Sequence, residues 1–352
     1  MDLEDCRRRI DEIDRKIVAL LNVRAGIALE IKSAKTEENR PVFDPGREQL
    51  VYENVTKANQ GPLSDDALKA IYREIIAVSR QLQQPLKVAY FGPQATFTHQ
   101  AARTKFGAAA EYLAARSIGE VFALAEKGEA DFGVVPVENT TDGFVGHTFD
   151  VLANADLKIC AEVVLPIQHN LISRGSRDTI QAIYSHPQAL GQTREWLAAN
   201  FPDIPQVEVS STARAAEIAA GDEHAAAIGT ELAAEVYGLN VVARRIEDNP
   251  HNITRFFVVG PVMGSRTGSD KTSVMFTVKN RVGALHDILG TLLKHRIDLT
   301  RIESRPSKQK LWDYVFFIDV VGHPEDAHVD QAMKQLGHEC ALVKVLGAWA
   351  TG

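Results

Sequence analysis

The sequence of 352 residues predicts a multidomain chain in which three fold classes follow one another. An all-α domain is expected over residues 1–85, an α/β domain over 86–262 and, after a linker at 263–271, an α+β domain over 272–352. Three observations predict this order. The first residues repeat apolar side chains at the spacing of a packed helix. From Leu86 short apolar strands alternate with Ala-rich helices. Beyond the linker the elements read strand, helix, strand, strand, helix, strand.

From Leu3 to about Ala34 there is no proline, and Gly26 is the one glycine. Ile10, Ile13, Ile17, Leu20, Arg24, Ile27 and Ile31 form a seam of alternating three- and four-residue steps, as in a long helix lying along another. Such a seam needs a partner. Asn39-Arg40-Pro41 breaks the helix, Asp44-Pro45 offers a cap and a proline for a second, and Leu68 to about Leu82 reads as a third.

Gln84-Pro85 closes the helical region, and Leu86–Phe91 followed by Gly92-Pro93 opens the α/β pattern. Strands are expected at Phe132–Val137, Leu157–Leu165 and Ala225–Ile228, and helices near Ile118–Glu126 and Ala213–Ala220. Met263 to Asp270 is small and polar, as a linker should be. Then come strands at Thr272–Val278, Asp298–Arg305, Trp312–Val321 and Ala341–Leu346, with helices at Leu285–Lys294 and Ala327–Leu336. That order is ferredoxin-like.

Composition narrows the function classes. A formal charge of −7 disfavours broad nucleic-acid binding, which needs a basic surface. No stretch approaches the roughly 20 apolar residues of a membrane helix. The acidic start, Met1-Asp2-Leu3-Glu4-Asp5, is unlike a secretory signal, and Cys6, Cys160 and Cys340 are too scattered for a metal or redox pair. A cytoplasmic location with reduced thiols is expected.

In the helical region Arg24 interrupts an apolar seam, so it needs a carboxylate or a bound anion. Lys35 lies about three turns on, on the same face and roughly 16 Å away. Arg7, roughly 25 Å from Arg24 and about 100° around the axis, reaches the same ligand only from a second subunit. Asp44, Arg47 and Glu48 stand on the second helix, with Ser79 and Gln83 one turn apart on the third. Singly these are ordinary surface residues. With Arg40-Pro41-Val42, their joint spacing resembles the all-helical chorismate mutase family, in which an intertwined dimer surrounds a dianionic substrate. The resemblance implies that Arg7, Arg24, Lys35, Asp44, Arg47, Glu48, Ser79 and Gln83 form the substrate site. Such a rearrangement needs positioning rather than a metal or cofactor. Lys35 and Gln83 would donate to the ether oxygen as the bond breaks. Glu48 and Ser79 would orient the ring hydroxyl.

In the α/β region, polar clusters fall where strands hand over to loops: Thr96-Phe97-Thr98, Glu138-Asn139-Thr140-Thr141, Ser185-His186-Pro187-Gln188 with Gln192, Ser210-Ser211-Thr212, and Asn252 to Phe256. Helix caps and turns use the same residues, and capping suits Ser211 and Thr212 as well as ligand contact does. Gly92 to Thr98, Val135-Pro136-Val137-Glu138-Asn139, Ser185-His186-Pro187-Gln188 and Thr254-Arg255-Phe256 resemble prephenate dehydratase motifs in order. Ala95 departs from them, standing where a glycine is usual, as does the stretch after Asn139. The resemblance implies two lobes about a cleft, like a periplasmic binding protein. It makes Thr254 the group that assists departure of the ring hydroxyl, with Glu138 as a proton source. Thr96, Asn139, Ser185, Gln192, Arg255 and Phe256 would hold the substrate, Arg255 by pairing with a carboxylate. His186 precedes a proline and reads as structural.

In the last region Gly283-Ala284-Leu285-His286 and Glu303-Ser304-Arg305-Pro306 resemble the ligand loops of the ACT regulatory domain. The resemblance implies phenylalanine bound there between paired subunits, and feedback inhibition. The whole then reads as a two-activity enzyme of phenylalanine biosynthesis that takes chorismate and prephenate, needs no cofactor, and is at least a homodimer. Two alternatives stay open. One is a ligand-sensing regulator with a helical DNA-binding head, opposed by the long first helix and acidic charge. The other is an enzyme with one inactive module, or one preferring arogenate.

Overall fold

The structure is a computed structural model describing residues 2–37, 43–278, 281–306 and 314–351, with side chains described except at 33–37. The chain divides into two compact units, residues 1–86 with 106–111, and residues 87–105 with 112–352. Among the described residues no helix is long and apolar enough to cross a membrane.

The first unit holds α1 (Leu3–Glu37), α2 (Pro45–Ala58) and α3 (Asp65–Gln83). Asp44 caps α2 by accepting the Arg47 N–H at 3.1 Å, and Pro45 opens it, as expected from their residue types. Ser64 caps α3. Both α1 and α2 pack on α3. The seam of α1 stays at the surface: Ile10, Ile13, Ile17 and Leu20 are 47–68% exposed.

The second unit begins with β1 (Lys87–Phe91), α4 (Phe97–Phe106), β2 (Glu111–Ala115), α5 (Ile118–Glu126), β3 (Phe132–Asn139), β4 (Gly143–Phe144), α6 (Gly146–Asn154) and β5 (Lys158–Pro166). A second lobe contains β6 (Asn170–Ser173), β7 (Ala182–Ser185), α7 (Pro187–Gln192), α8 (Arg194–Asn200), β8 (Gln206–Glu208), α9 (Thr212–Gly221), β9 (Ala225–Gly229), α10 (Glu231–Tyr237) and β10 (Asn240–Ala243). The chain then returns through β11 (Ile253–Gly260). The C-terminal region is β12 (Asp270–Thr277), α11 (Ala284–Lys294), β13 (Leu299–Pro306), β14 (Tyr314–Val321), α12 (Ala327–Glu339) and β15 (Leu342–Ala350), which is the βαββαβ order.

The second lobe is the sheet β10-β6-β9-β7-β8, joined to the first by two crossovers, β5 to β6 and β10 to β11. The first lobe and the C-terminal region share one sheet, β13-β14-β12-β15-β5-β11-β3-β1-β2, with β4 paired to β3. The junction is a single parallel pairing of Gly347 with Ile159. Gly347 has φ +157°, and a Cβ there would lie 2.2 Å from the Ile159 carbonyl oxygen, so only glycine lets the two backbones meet. Side chains continue across the junction. Phe149 packs on Phe257 and Phe317, and Phe257 on Trp349, with ring centroids 5.0–6.0 Å apart. The residues expected as a linker are tied down, Gly264 donating its N–H to Ala348 and Asp270 accepting those of Thr267 and Gly268.

Candidate active sites

In the helical unit, Arg24 is half-buried and donates from Nη1 to Ser79 Oγ at 2.5 Å, and that hydroxyl donates to the Ile75 carbonyl at 2.7 Å. Arg24 and Arg47 line one cleft of about 540 Å³, with Leu68 and Tyr72 on its wall. Two cations converging on one cleft fit a dianion. Gln83 is buried, and its Oε1 has no hydrogen-bond partner among the described residues. Glu48 is buried beside Arg80, at 3.4 Å. Arg80 also donates to the Phe106 carbonyl and lies over the Phe43 and Phe106 rings. Arg7 is exposed and paired with Glu4 near the start of α1. The Lys35 side chain and Arg40-Pro41-Val42 lie outside the described residues.

In the second unit a cleft of about 360 Å³ opens between the lobes. The first lobe contributes Phe91, Gly92, Pro93, Thr96 to Thr98, Asn139 and Thr254, the crossover Ile167 and His169, and the second lobe His186, Gln188, Ala189, Gln192 and Ser210 to Thr212. Among the described residues no arginine or lysine lines it. Hydroxyls and backbone N–H groups at the starts of α4 and α9 are what a substrate anion would meet there. Ala95 has φ +66°, the left-handed region that favours glycine, which is why a glycine is usual at this position. Its N–H donates to His99 Nδ1 at 3.0 Å. Burial, with the Arg103 charge adding to it, pulls the His99 pKa down to about 4, so its ring is neutral.

Thr254 pairs in register with Asn139, and Asn139 Nδ2 donates to Thr254 Oγ1 at 2.7 Å. Strand alternation turns the next pair, Arg255 and Glu138, to the opposite face, away from the cleft. Arg255 and Glu138, expected to bind a carboxylate and to supply a proton, are therefore not among the residues lining the cleft. Arg255 donates to Glu162 at 2.6 Å and to Asp319 at 2.7 Å, and lies over the Phe257 and Trp349 rings. Burial opposes its charge, while Asp319 and Glu162 outweigh burial and raise its pKa. Glu138 lies 3.4 Å from Arg301. Ser185 is fully buried and donates to the Ile228 carbonyl, and Phe256 is buried away from the cleft. His186 caps α7, accepting the Gln188 N–H, and also lines the cleft.

In the C-terminal region Gly283, at φ +80°, precedes α11, so Ala284, Leu285 and His286 form its first turn. Glu303, Ser304, Arg305 and Pro306 end β13. Thr277 and Arg305 both pair with Val315, which sets the two expected ligand segments at the same end of the sheet. Arg301, Glu303 and Arg305 are half-buried, whereas Ile302, Ser304 and Pro306 are exposed. Arg305 pairs with Asp150 of α6 at 3.1 Å.

Three family descriptions match the chain: chorismate mutase type II over residues 6–84, prephenate dehydratase over 88–263 and ACT domain over 272–338. The bifunctional chorismate mutase/prephenate dehydratase of Aquifex aeolicus is 46% identical over 353 residues, covering 99% of this chain and 98% of that one. The chain belongs to the bifunctional chorismate mutase/prephenate dehydratase family. Its namesake from Stutzerimonas stutzeri is 42% identical over 99% of this chain and 97% of its own. A prephenate dehydratase from Arthrobacter aurescens, solved in complex with L-Phe, is 35% identical, covers 76% of this chain and 90% of its own, and superposes with a TM-score of 0.69.

As a member of this family the chain is both a chorismate mutase and a prephenate dehydratase, with an ACT domain. The structure gathers Arg24, Arg47 and Ser79 around the cleft of the helical unit, and Thr96, Asn139, Gln192 and Thr254 around the cleft between the lobes. Sequence reasoning missed Arg80, Arg301 and His169. A lone Arg beside Ser79 and a lone His before β6 carry no spacing signal.

Proposed function

We propose that Thr254 assists departure of the ring hydroxyl of prephenate, with Asn139 and Gln192 orienting the substrate. The observation carrying this is the 2.7 Å hydrogen bond from Asn139 Nδ2 to Thr254 Oγ1 within the cleft. With a lone pair occupied, the hydroxyl is free to donate its own proton. Prephenate loses CO₂ from the ring carbon, and the released electron pair moves through the ring to expel hydroxide, which leaves as water. Aromatisation supplies the driving force. The substrate carboxylates would accept hydrogen bonds from Thr96, Thr98 and the Ser210–Thr212 loop.

In the mutase, Arg24 and Arg47 hold the substrate carboxylates so that chorismate adopts its compact reactive shape. Lys35 and Gln83 donate to the ether oxygen. The exposed seam of α1 supports pairing with a second subunit, which would also bring an Arg7 from the partner copy to each site. The ACT domain takes phenylalanine at Gly283–His286 and Glu303–Pro306, and the product inhibits its own synthesis. A cytoplasmic enzyme without cofactors fits this chemistry.

The test is an assay with chorismate as sole substrate, following prephenate and phenylpyruvate separately, with and without phenylalanine. Both products appear, and phenylalanine suppresses phenylpyruvate. Dehydration of added prephenate without consumption of chorismate would refute the mutase assignment.

A further inference from the structure

We propose that His169 is a positioning residue of the dehydratase: its Nε2–H fixes the carboxamide of Gln192 and, through Asn252 and Asn139, the hydroxyl of Thr254. The proposal rests on the assignment of Thr254 above and adds a residue that the motifs did not mark.

The hydrogen bonds have a direction that can be worked out from one end. The backbone N–H groups of Thr141 and Asp142 point at Asn139 Oδ1, at 2.8 and 3.0 Å. A backbone amide can only donate, so this atom is the oxygen, and the other is the NH₂ group. Asn139 Nδ2 therefore donates to Thr254 Oγ1 at 2.7 Å and to Asn252 Oδ1 at 2.8 Å. That leaves Asn252 Nδ2 to donate to Gln192 Oε1 at 3.1 Å. Gln192 Oε1 is also 2.8 Å from His169 Nε2. An oxygen that is acceptor only requires the proton to sit on Nε2.

The rest of His169 agrees with that tautomer. The residue is 2% exposed, and its Nδ1 is buried with no hydrogen-bond partner among the described residues. A proton moved to Nδ1 would be a buried donor facing nothing, and a second proton added there would be an unpaired buried charge. Burial accordingly lowers the pKa of the ring, against the opposing Gln192 hydrogen bond and Glu247 charge. The backbone is clamped as well, its N–H donating to Glu247 and its carbonyl accepting from Ile246, while the ring meets Phe97 edge-on.

Position gives this local order its consequence. His169 lies on the crossover from β5 to β6, Asn252 on the crossover from β10 to β11, and Gln192 at the end of α7 in the second lobe. One carboxamide oxygen thus collects a donor from each strand joining the lobes. The amide group left over points at Asp142, 3.3 Å away, at the loop that orients Asn139. A histidine that merely filled the core would not need this donor.

The test is a double-mutant cycle on the full chain, pairing His169→Leu with Gln192→Ala. His169→Leu should lower kcat/KM for prephenate about tenfold, the worth of one hydrogen bond, and leave mutase activity unchanged. His169→Gln, which can return an N–H donor, should recover to within about threefold. In the Gln192→Ala background His169→Leu should have almost no further effect, because the coupled partner is gone. Imidazole ¹⁵N shifts of the unmodified chain should show Nε2 protonated and Nδ1 bare. Additive losses, no recovery in His169→Gln, or a proton on Nδ1 would each overturn the proposal while dehydratase activity persists. Lack of dehydratase activity in the unmodified chain would instead overturn the reading beneath it, and the proposal with it. Should His169→Leu fail to fold, the ¹⁵N shifts and the His169→Gln kinetics still decide.

Discussion

Arg255→Met separates two accounts of the same residue. The motif suggests an arginine for a substrate carboxylate, but the side chain is 15% exposed and sits between Glu162 and Asp319, themselves 15% and 1% exposed. Methionine keeps the contact with the Phe257 and Trp349 rings and removes the charge. Asp319 would then retain Arg301, 3.9 Å away. Breaking one side of a buried pair costs about 3–5 kcal/mol. At about 2–4 °C per kcal/mol, the melting temperature of the second unit should fall by roughly 6–20 °C. Thermal unfolding followed by circular dichroism, beside prephenate kinetics, is the assay. Adding Asp319→Asn should recover part of the loss, since replacing both members of a buried pair costs less than stranding one. A substrate-binding arginine predicts the opposite pattern: an unchanged melting curve and a KM for prephenate raised about a hundredfold. That outcome would refute the reasoning.

Thr254→Val, which keeps the shape and removes the hydroxyl, should lower dehydratase kcat by about 100-fold or more while chorismate is still consumed, so prephenate accumulates in a coupled assay. His99 predicts acid sensitivity: its pKa is about 4 in the folded chain against 6.5 ordinarily, so the unfolded chain takes the proton first as pH falls. Stability should drop by about 3 kcal/mol between pH 6.5 and 4 from this group, and urea unfolding should show His99→Asn to be flatter over that window. Arg305→Ala removes a residue of the proposed phenylalanine segment together with its pair to Asp150, so calorimetry should find phenylalanine binding and inhibition both weakened while activity without phenylalanine is kept. Unchanged binding and inhibition would take Arg305 out of the ligand site.

The fold was legible wherever periodicity was strong. The seam of α1, the cap-and-proline start of α2 and the βαββαβ order each follow from local rules that the structure obeys. The site was legible only as far as polar residues at strand ends. A motif names neighbours in sequence, whereas a strand turns neighbours to opposite faces. Thr254 therefore lines the cleft, and Arg255 beside it serves the junction with the C-terminal region. The same alternation separates Asn139 from Glu138. His169 was invisible for another reason: its meaning depends on Gln192 and Asn252, distant in sequence.

A polar linker is expected at Met263 to Asp270, but the C-terminal region joins the first lobe directly through one shared sheet. Arg301 and Arg305 reach from the half-buried face of β13 to Phe144, with guanidinium-to-ring distances of 4.8 and 5.9 Å. Phe144 pairs across the strand with Glu138, and Gly143 with Asn139, the residue that donates to Thr254. The Arg301 side chain is 8% exposed, and its guanidinium has no hydrogen bond among the described residues, so small shifts of β13 change how well its charge is compensated. A ligand seated at the end of β13 acts on the Asn139–Thr254 pair only if it favours one arrangement of this strand. A hundredfold preference would bias two such arrangements by about 2.7 kcal/mol, comparable with the hydrogen bonds at stake around Asn139. The physical requirement for feedback is therefore differential binding to β13 rather than a hinged linker.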